Sequence, residues 1–288
     1  GCENTAVGSC ALKANTTGYF NTASGVFSAD AITTGHENTA VGYKALTTAT
    51  TSCGNVAVGM CSLHNHTTGG DNNAVGMCSQ FSTTTGGGNN SMGHKSMECN
   101  TTGNTNVAIG EQSLRYNTEG HNNTAVGYAA GRNITTGEKN TVIGKEAGYY
   151  FTTGTDNVAI GLGAGGGASP FSITTQNNRL VLGNNDIGNA YVKVDWTVTS
   201  DERDKMNFEE VPHGLDFVNQ MKPVSFVFKK SREDATPHGP QKYGFRAQDI
   251  LALEGDNNVI IDTEQPDLLK VTNSHLFPVL VKAIQELT

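Results

Sequence analysis

The chain has 288 residues, 35 of them glycine, carries a net charge of −8, and is only 36% hydrophobic and 7% aromatic. That apolar content is low for one large globular core and too regularly placed for disorder, so a thin repetitive structure is expected. The acidic balance, without basic clusters, argues against nucleic acid and against membrane insertion, and no apolar run approaches the ~18 residues of a spanning helix.

The chain opens at Gly1-Cys2-Glu3-Asn4, in mid-repeat and without signal-peptide character, which suggests a piece of a longer protein. Aligned on Asn-Thr-Ala-Val-Gly, the glycine recurs at Gly8, Gly25, Gly42, Gly59, Gly76, Gly93, Gly110, Gly127, Gly144 and Gly161, always 17 residues apart. Four residues earlier stands asparagine, from Asn4 and Asn21 through Asn106, Asn123 and Asn140 to Asn157. A small residue, usually alanine, lies two before the glycine, a β-branched or apolar one just before it, and Ala or Ser three after it. A Thr-Thr-Gly-like turn closes most repeats, with Ser52 the exception in its glycine column.

Seventeen residues without a 3.6-residue period exclude a helical-pair repeat, and β-branched residues between Gly and Asn turns read as short strands. Ten stacked coils at the interstrand spacing of ~4.8 Å make a segment of roughly 48 Å, with the asparagines in a hydrogen-bonded ladder. Neighbouring Ala and Val columns face opposite sides of a strand. One side faces the coil interior, the other is expected to face a second copy, with the small Ala/Ser columns permitting close approach about a threefold axis. A homotrimer is expected. Acids in the column before the asparagine (Glu3, Glu37, Asp71, Asp156) never fall in adjacent coils, as repulsion at that spacing requires.

Over residues 1–165 the repeats, as in Asn38-Thr39-Ala40-Val41-Gly42, resemble the head repeats of trimeric bacterial adhesins, whose own repeats are shorter. That resemblance implies a trimeric parallel β-roll.

The period fails after Gly161, and Gly163 to Ser169 reads as a repeat terminus or linker closed by Pro170. Residues 166–199 are expected as a β transition with strands at Arg179–Leu182 and Tyr191–Val194. From Ser200 the composition changes: residues 200–288 hold 10 Lys+Arg and 15 Asp+Glu, against 9 and 12 in all that precedes. Helices are expected at Leu215–Met221 and Phe245–Leu253, strands at Val224–Lys229 and Leu268–Val271, and a final helix capped by Ser274 and running to Leu287. The expected fold is therefore mainly β, a stacked β-roll or β-helix shaft of ten 17-residue repeats followed by a small α+β domain.

Ser200-Asp201-Glu202-Arg203-Asp204-Lys205, then Tyr243-Gly244-Phe245-Arg246-Ala247-Gln248-Asp249, then Lys282-Ala283-Ile284-Gln285-Glu286-Leu287 resemble, in order, the peptidase S74 intramolecular chaperone family. That family closes phage tail fibres and tailspikes, drives their trimerisation and in many members cuts itself off. The resemblance implies Ser200 as nucleophile, Lys205 as general base, cleavage between Thr199 and Ser200, and Asp201 and Arg203 in support. A lysine serves as base only when desolvated. Without the resemblance, Ser200-Asp201 reads as a turn entering the domain. The resemblance further implies a tail fibre made in the host cytoplasm and carried on the virion tail, with other tail proteins and a host surface receptor, a glycan or outer-membrane component, as partners. No cofactor or metal is expected, and any enzymatic activity is at most single-turnover self-cleavage.

Two alternatives stand beside it. A polysaccharide-degrading tailspike needs two carboxylates ~5–9.5 Å apart, whereas the acids of the repeats are scattered. A cellular trimeric adhesin fits the repeats but not the C-terminal motifs. The six cysteines, three of them (Cys10, Cys61, Cys78) in one column, read as small apolar fillers. His64 and His66 read as a solvated loop, Asn-x-Thr matches as by-products of the repeat, and Tyr19, Tyr43, Tyr116 and Tyr128 as surface aromatics rather than sugar platforms.

Overall fold

The computed structural model describes residues 2–167, 169–193, 196–230, 232–256 and 258–288. They form two compact units, Gly1–Asp186 and Ile187–Thr288.

In the first unit each repeat supplies one three-residue strand: β1 (Thr5–Val7), β2 (Thr22–Ser24), β3 (Thr39–Val41), β4 (Val56–Val58), β5 (Asn73–Val75), β6 (Asn90–Met92), β7 (Val107–Ile109), β8 (Thr124–Val126), β9 (Thr141–Ile143), β10 (Val158–Ile160) and β11 (Leu180–Leu182). They stack in chain order as one parallel sheet of 11 strands, a β-solenoid. Thr5 pairs with Thr22, and the same 17-residue offset carries through to Val158 against Thr141. The last coil is longer, since Val158 pairs with Leu180. The stack thus continues one coil past the strict period.

The asparagine column closes each coil. Asn106 Nδ2 donates to the Gly120 carbonyl of its own coil at 2.8 Å, and Asn106 Oδ1 accepts the backbone N–H of Asn123 in the next coil at 2.9 Å. Asn140 repeats this with Gly154 at 2.8 Å and Asn157 at 3.1 Å. Ser52 takes the glycine position without breaking the pattern, because only its backbone carbonyl is used, accepting from Asn38 Nδ2 at 2.9 Å. Glycine is required where coils touch: a Cβ on Gly110, at φ +128°, would strike the carbonyl of Gly127 in the next coil.

Most coils also place non-glycine residues at left-handed φ just before the asparagine and two and four residues after the strand glycine, as at Asp71, Cys61 and Leu63. These positions turn the corners of the coil and cost conformational energy that stacking must offset.

Two apolar clusters fill the interior, one from Leu12 to Ala74 and one from Met97 to Val181. Between them the interior is polar. Ser79 and Ser91 hydroxyls lie 2.6 Å apart, and Gln80 Nε2 donates to Ser91 Oγ at 2.9 Å. His66, expected in a solvated loop, is instead fully buried within the span of the first cluster, its Nε2 donating to the Gly69 carbonyl at 2.6 Å. The cysteines, read as small apolar fillers, lie exposed at Cys2 and half-buried at the other five positions. The small Ala/Ser columns line the interior, as Ala40, Ala108, Ser62 and Ser113 show. The column left outside is the β-branched one, with Val7, Val41, Met92, Ile109, Ile143 and Ile160 exposed.

The second unit builds a smaller core from Phe217, Ile250, Ile260, Ile261, Leu276 and Val279. Its elements are α1 (Leu215–Gln220), β12 (Val224–Lys229), β13 (Pro237–Gly244), α2 (Ala247–Glu254), β14 (Ile261–Asp262), β15 (Lys270–Val271) and α3 (Leu276–Glu286). β12 and β13 form one antiparallel pair, β14 and β15 another. The buried Glu254 carboxylate accepts the backbone N–H groups of Val259, Ile260 and Ile261 at 2.6–3.0 Å, locking the turn after α2. Glu286 of α3 accepts from the N–H of Leu215 at 2.6 Å and so tethers α1. Two expectations fail here. Residues 191–193 form no strand, and Val194 lies outside the described residues. Ser274 does not cap α3: it lies within a 3-10 turn, Asn273–His275, that leads into the helix.

Two outcomes test the shaft. Asn106→Ala strips the buried Asn123 N–H of its acceptor, while the Gly120 carbonyl keeps Asn117 Nδ2 at 3.1 Å, and should lower unfolding free energy by about 1–3 kcal/mol in urea titration. A change under about 0.5 kcal/mol would show the ladder to be incidental. The second concerns His66. Burial pushes His66 below its ordinary value of 6.5, outweighing the Gly69 hydrogen bond that raises it. The unfolded chain therefore binds more protons between the folded value and 6.5. Stability is complete above that window and falls as pH drops through it. Urea midpoints at neutral and mildly acid pH should differ more for the native chain than for His66→Asn; an equal difference would remove His66 as the cause.

Candidate functional site

The chemistry-bearing residues of the second unit gather on a short turn. Asp201 precedes a 3-10 turn, Glu202–Asp204, and its side chain accepts from the Arg203 N–H at 2.9 Å. The Arg203 guanidinium returns to the same carboxylate through two bonds, Nε to Oδ1 at 3.0 Å and Nη2 to Oδ2 at 2.6 Å. The turn closes through Asp204 N–H to the Asp201 carbonyl at 3.2 Å and Lys205 N–H to the Glu202 carbonyl at 3.0 Å.

That closure reverses the chain, so Lys205 reaches back over five residues. Its Nζ lies 2.6 Å from Ser200 Oγ and 3.3 Å from the Ser200 carbonyl. Ser200, Asp201, Arg203 and Lys205 are thus brought into one cluster, with Thr199 immediately before it in the chain. All five are exposed in the single chain. In this geometry the lysine is a donor to the hydroxyl. To accept the hydroxyl proton it must first lose its own, which requires removal from water.

The Asp201–Arg203 hydrogen bonds hold the Asp201 carboxyl below the usual carboxylate range and raise Arg203 further. Their role is to fix the turn that carries Ser200 and Lys205, since a bidentate guanidinium–carboxylate pair sets geometry as well as charge. Two residues support the unit from further away: Glu254 at the end of α2, which lies outside the quoted motifs, and Lys282 of the C-terminal motif, whose Nζ donates to the Val211 carbonyl at 2.6 Å. Glu254 leaves no short-range motif, because its three partners are backbone groups.

Residues 200–259 are similar to the family described as the chaperone of endosialidase, peptidase S74. The match begins at Ser200 and ends at Val259, a partner of the Glu254 carboxylate; α3 lies beyond it. No curated protein and no solved structure matches the chain.

The Asp201 pair has a measurable signature. Because the folded value lies below the ordinary 3.8, whatever the pair contributes is complete above that pH and is lost as pH falls through the folded value. The Asp201 side-chain carbon resonance should therefore titrate at lower pH than in Arg203→Ala. Identical titrations in the two would mean that the pair does not persist in solution.

Proposed function

We propose that the chain is part of a trimeric phage-type tail fibre that mediates host attachment, with residues 1–165 as shaft, 166–199 as transition and 200–288 as an intramolecular chaperone that drives trimerisation and cleaves before Ser200. What carries the reading is that the segment similar to the endosialidase chaperone begins at the serine lying 2.6 Å from Lys205 Nζ.

Two surfaces support assembly from copies of this chain. The exposed column Val41, Met92, Ile109, Ile143 and Ile160 forms an apolar stripe along the sheet, repeated at the coil spacing and so matched to the same stripe on another copy. In the second unit, Phe277, Val281 and Ile284 leave an apolar face of α3 exposed. Three copies meeting through such faces bury apolar area and remove water from residues that the single chain leaves wet.

Burial of this kind supplies what the Ser200–Lys205 pair lacks. A desolvated, neutral Lys205 takes the Ser200 hydroxyl proton. Ser200 Oγ then attacks the Thr199 carbonyl carbon, the Thr199–Ser200 C–N bond breaks, and the proton passes to the departing Ser200 nitrogen. Water hydrolyses the resulting ester, leaving a Thr199 carboxylate and a free serine hydroxyl. Cleavage thereby waits on assembly.

The test is intact mass of freshly expressed chain under denaturing conditions, beside Ser200→Ala, with sedimentation of the uncut variant. The expected result is two fragments split at Thr199–Ser200 in the native chain, one intact species in Ser200→Ala, and a trimeric mass for the latter. An uncut native chain removes Ser200 and Lys205 as catalytic residues. A monomeric Ser200→Ala removes the fibre.

A further inference from the structure

A groove of about 600 Å3 runs along the outside of the shaft in its later coils. We infer that it is a binding site for a neutral oligosaccharide. Its hollow has a sequence origin. The outward positions two, five and six residues after the strand glycine carry side chains in the coils before it, but in the tenth coil they are Gly163, Gly166 and Gly167. A Cβ at Gly163 or Gly167 would meet nothing within 4 Å. The chain leaves room there beside three tyrosines, Tyr128, Tyr149 and Tyr150.

The walls are organised before any ligand arrives. Arg132 Nε donates to Gln112 Oε1 at 3.0 Å, Nη1 to the Tyr149 hydroxyl at 2.8 Å and Nη2 to the Tyr116 hydroxyl at 3.2 Å. Its guanidinium also lies over the rings of Tyr116 and Tyr149, 4.8 and 5.6 Å from their centroids. Tyr149 and Tyr150 pack edge to face with centroids 5.1 Å apart. The arginine therefore fixes two phenols, Tyr116 and Tyr149, from the coils on either side of its own. Such preorganisation lowers the ordering cost of binding.

The chemistry selects the ligand. Tyr128 and Tyr150 stay about half exposed, presenting flat apolar surface at the groove. Glu146 and Gln112 add hydroxyl acceptors, and Arg132 adds donors. Apolar ring faces flanked by acceptors and donors suit a molecule with C–H faces and hydroxyl edges, a sugar ring. Arg132, with Lys145 already paired to Glu146 at 3.7 Å, leaves a single unmatched positive charge at the groove of a chain of net charge −8, which does not suit a polyanion. That disfavours nucleic acid, which such aromatics would otherwise stack. The biological purpose of this site rests on the attachment reading above, although sugar binding is measurable whether or not the Thr199–Ser200 bond is cut.

The full chain should be applied to a printed array of neutral hexose oligosaccharides, acidic oligosaccharides and single-stranded RNA, with calorimetry on what is retained. Expected is retention of at least one neutral oligosaccharide, with affinity reduced about tenfold or more in Tyr150→Ala. Gly167→Trp, which fills the hollow while deleting no contact, should abolish binding. Tyr19→Ala, outside the groove, should leave it unchanged. Retention of no neutral oligosaccharide, retention of only acidic glycans or RNA, or equal binding by Tyr150→Ala and Gly167→Trp would overturn the inference. A failure of the fibre reading shows separately, in the cleavage and sedimentation experiment.

Discussion

Each coil of the shaft is closed by one side-chain amide that does two jobs. Its Nδ2 ties the strand to the carbonyl fourteen residues later in the same coil, as Asn123 does to Gly137 at 2.8 Å, while its Oδ1 receives the next coil's backbone N–H, as from Asn140 at 3.0 Å. Both groups are buried, so leaving either unpaired is expensive. The length of the coil follows from this. Substituting the strand glycine, as at Gly110, would push a Cβ into the next coil. The final coil shows where extra chain is tolerated. It takes 22 residues between paired strands, yet Asn157 still donates to the Gln176 carbonyl at 2.8 Å and accepts from the Arg179 N–H at 3.0 Å.

The asparagine and glycine columns were legible because each tolerates almost one residue type. Other interior positions look irregular along the sequence yet compensate within a coil. Gly148 makes room for Val142 and Phe151, since a Cβ on it would strike the first and sit 3.3 Å from the second, and Gly131 likewise meets Ile134 at 3.0 Å. Elsewhere Leu46 accompanies Ala49 and Ala29 accompanies Ile32, all buried. Close packing constrains the pair's volume rather than either residue. This is why single-column reading misses it, and why His66, opposite Leu63, was taken for a loop residue. The left-handed corners were equally hidden, because residues as unlike as Leu63, Lys44 and Cys61 occupy them.

In the second unit, local spacing carried most of the turn. Four residues separate Ser200 from Lys205, and a capped 3-10 turn between them is enough to bring their side chains to 2.6 Å. What spacing could not convey is the environment. Both residues are exposed in the single chain, and chemistry from a lysine base needs dryness that one copy does not provide. The groove on the shaft illustrates the opposite failure. The sequence reads Tyr116 and Tyr128 as ordinary surface aromatics and Gly163 to Ser169 as a repeat terminus or linker. Only the stacking of the tenth coil turns those glycines into a hollow beside the tyrosines.

The repetitive shaft and the non-repetitive end suit each other for a kinetic reason. The outer stripe of a coil stack is nearly the same at every level, so two copies shifted by one coil regain most of their contacts, and register is weakly specified. A terminal unit with a unique core, anchored by contacts such as Glu254 to Val259–Ile261 that occur once in the chain, has no equivalent shifted state. If it joins copies first, it sets the register from which the coils zip. Under the proposed cleavage that unit then departs, and a shaft that unfolds no longer carries the element that aligned it. Its persistence becomes a matter of the unfolding barrier rather than of equilibrium. A ladder of buried asparagines, broken only by opening many coils together, raises that barrier.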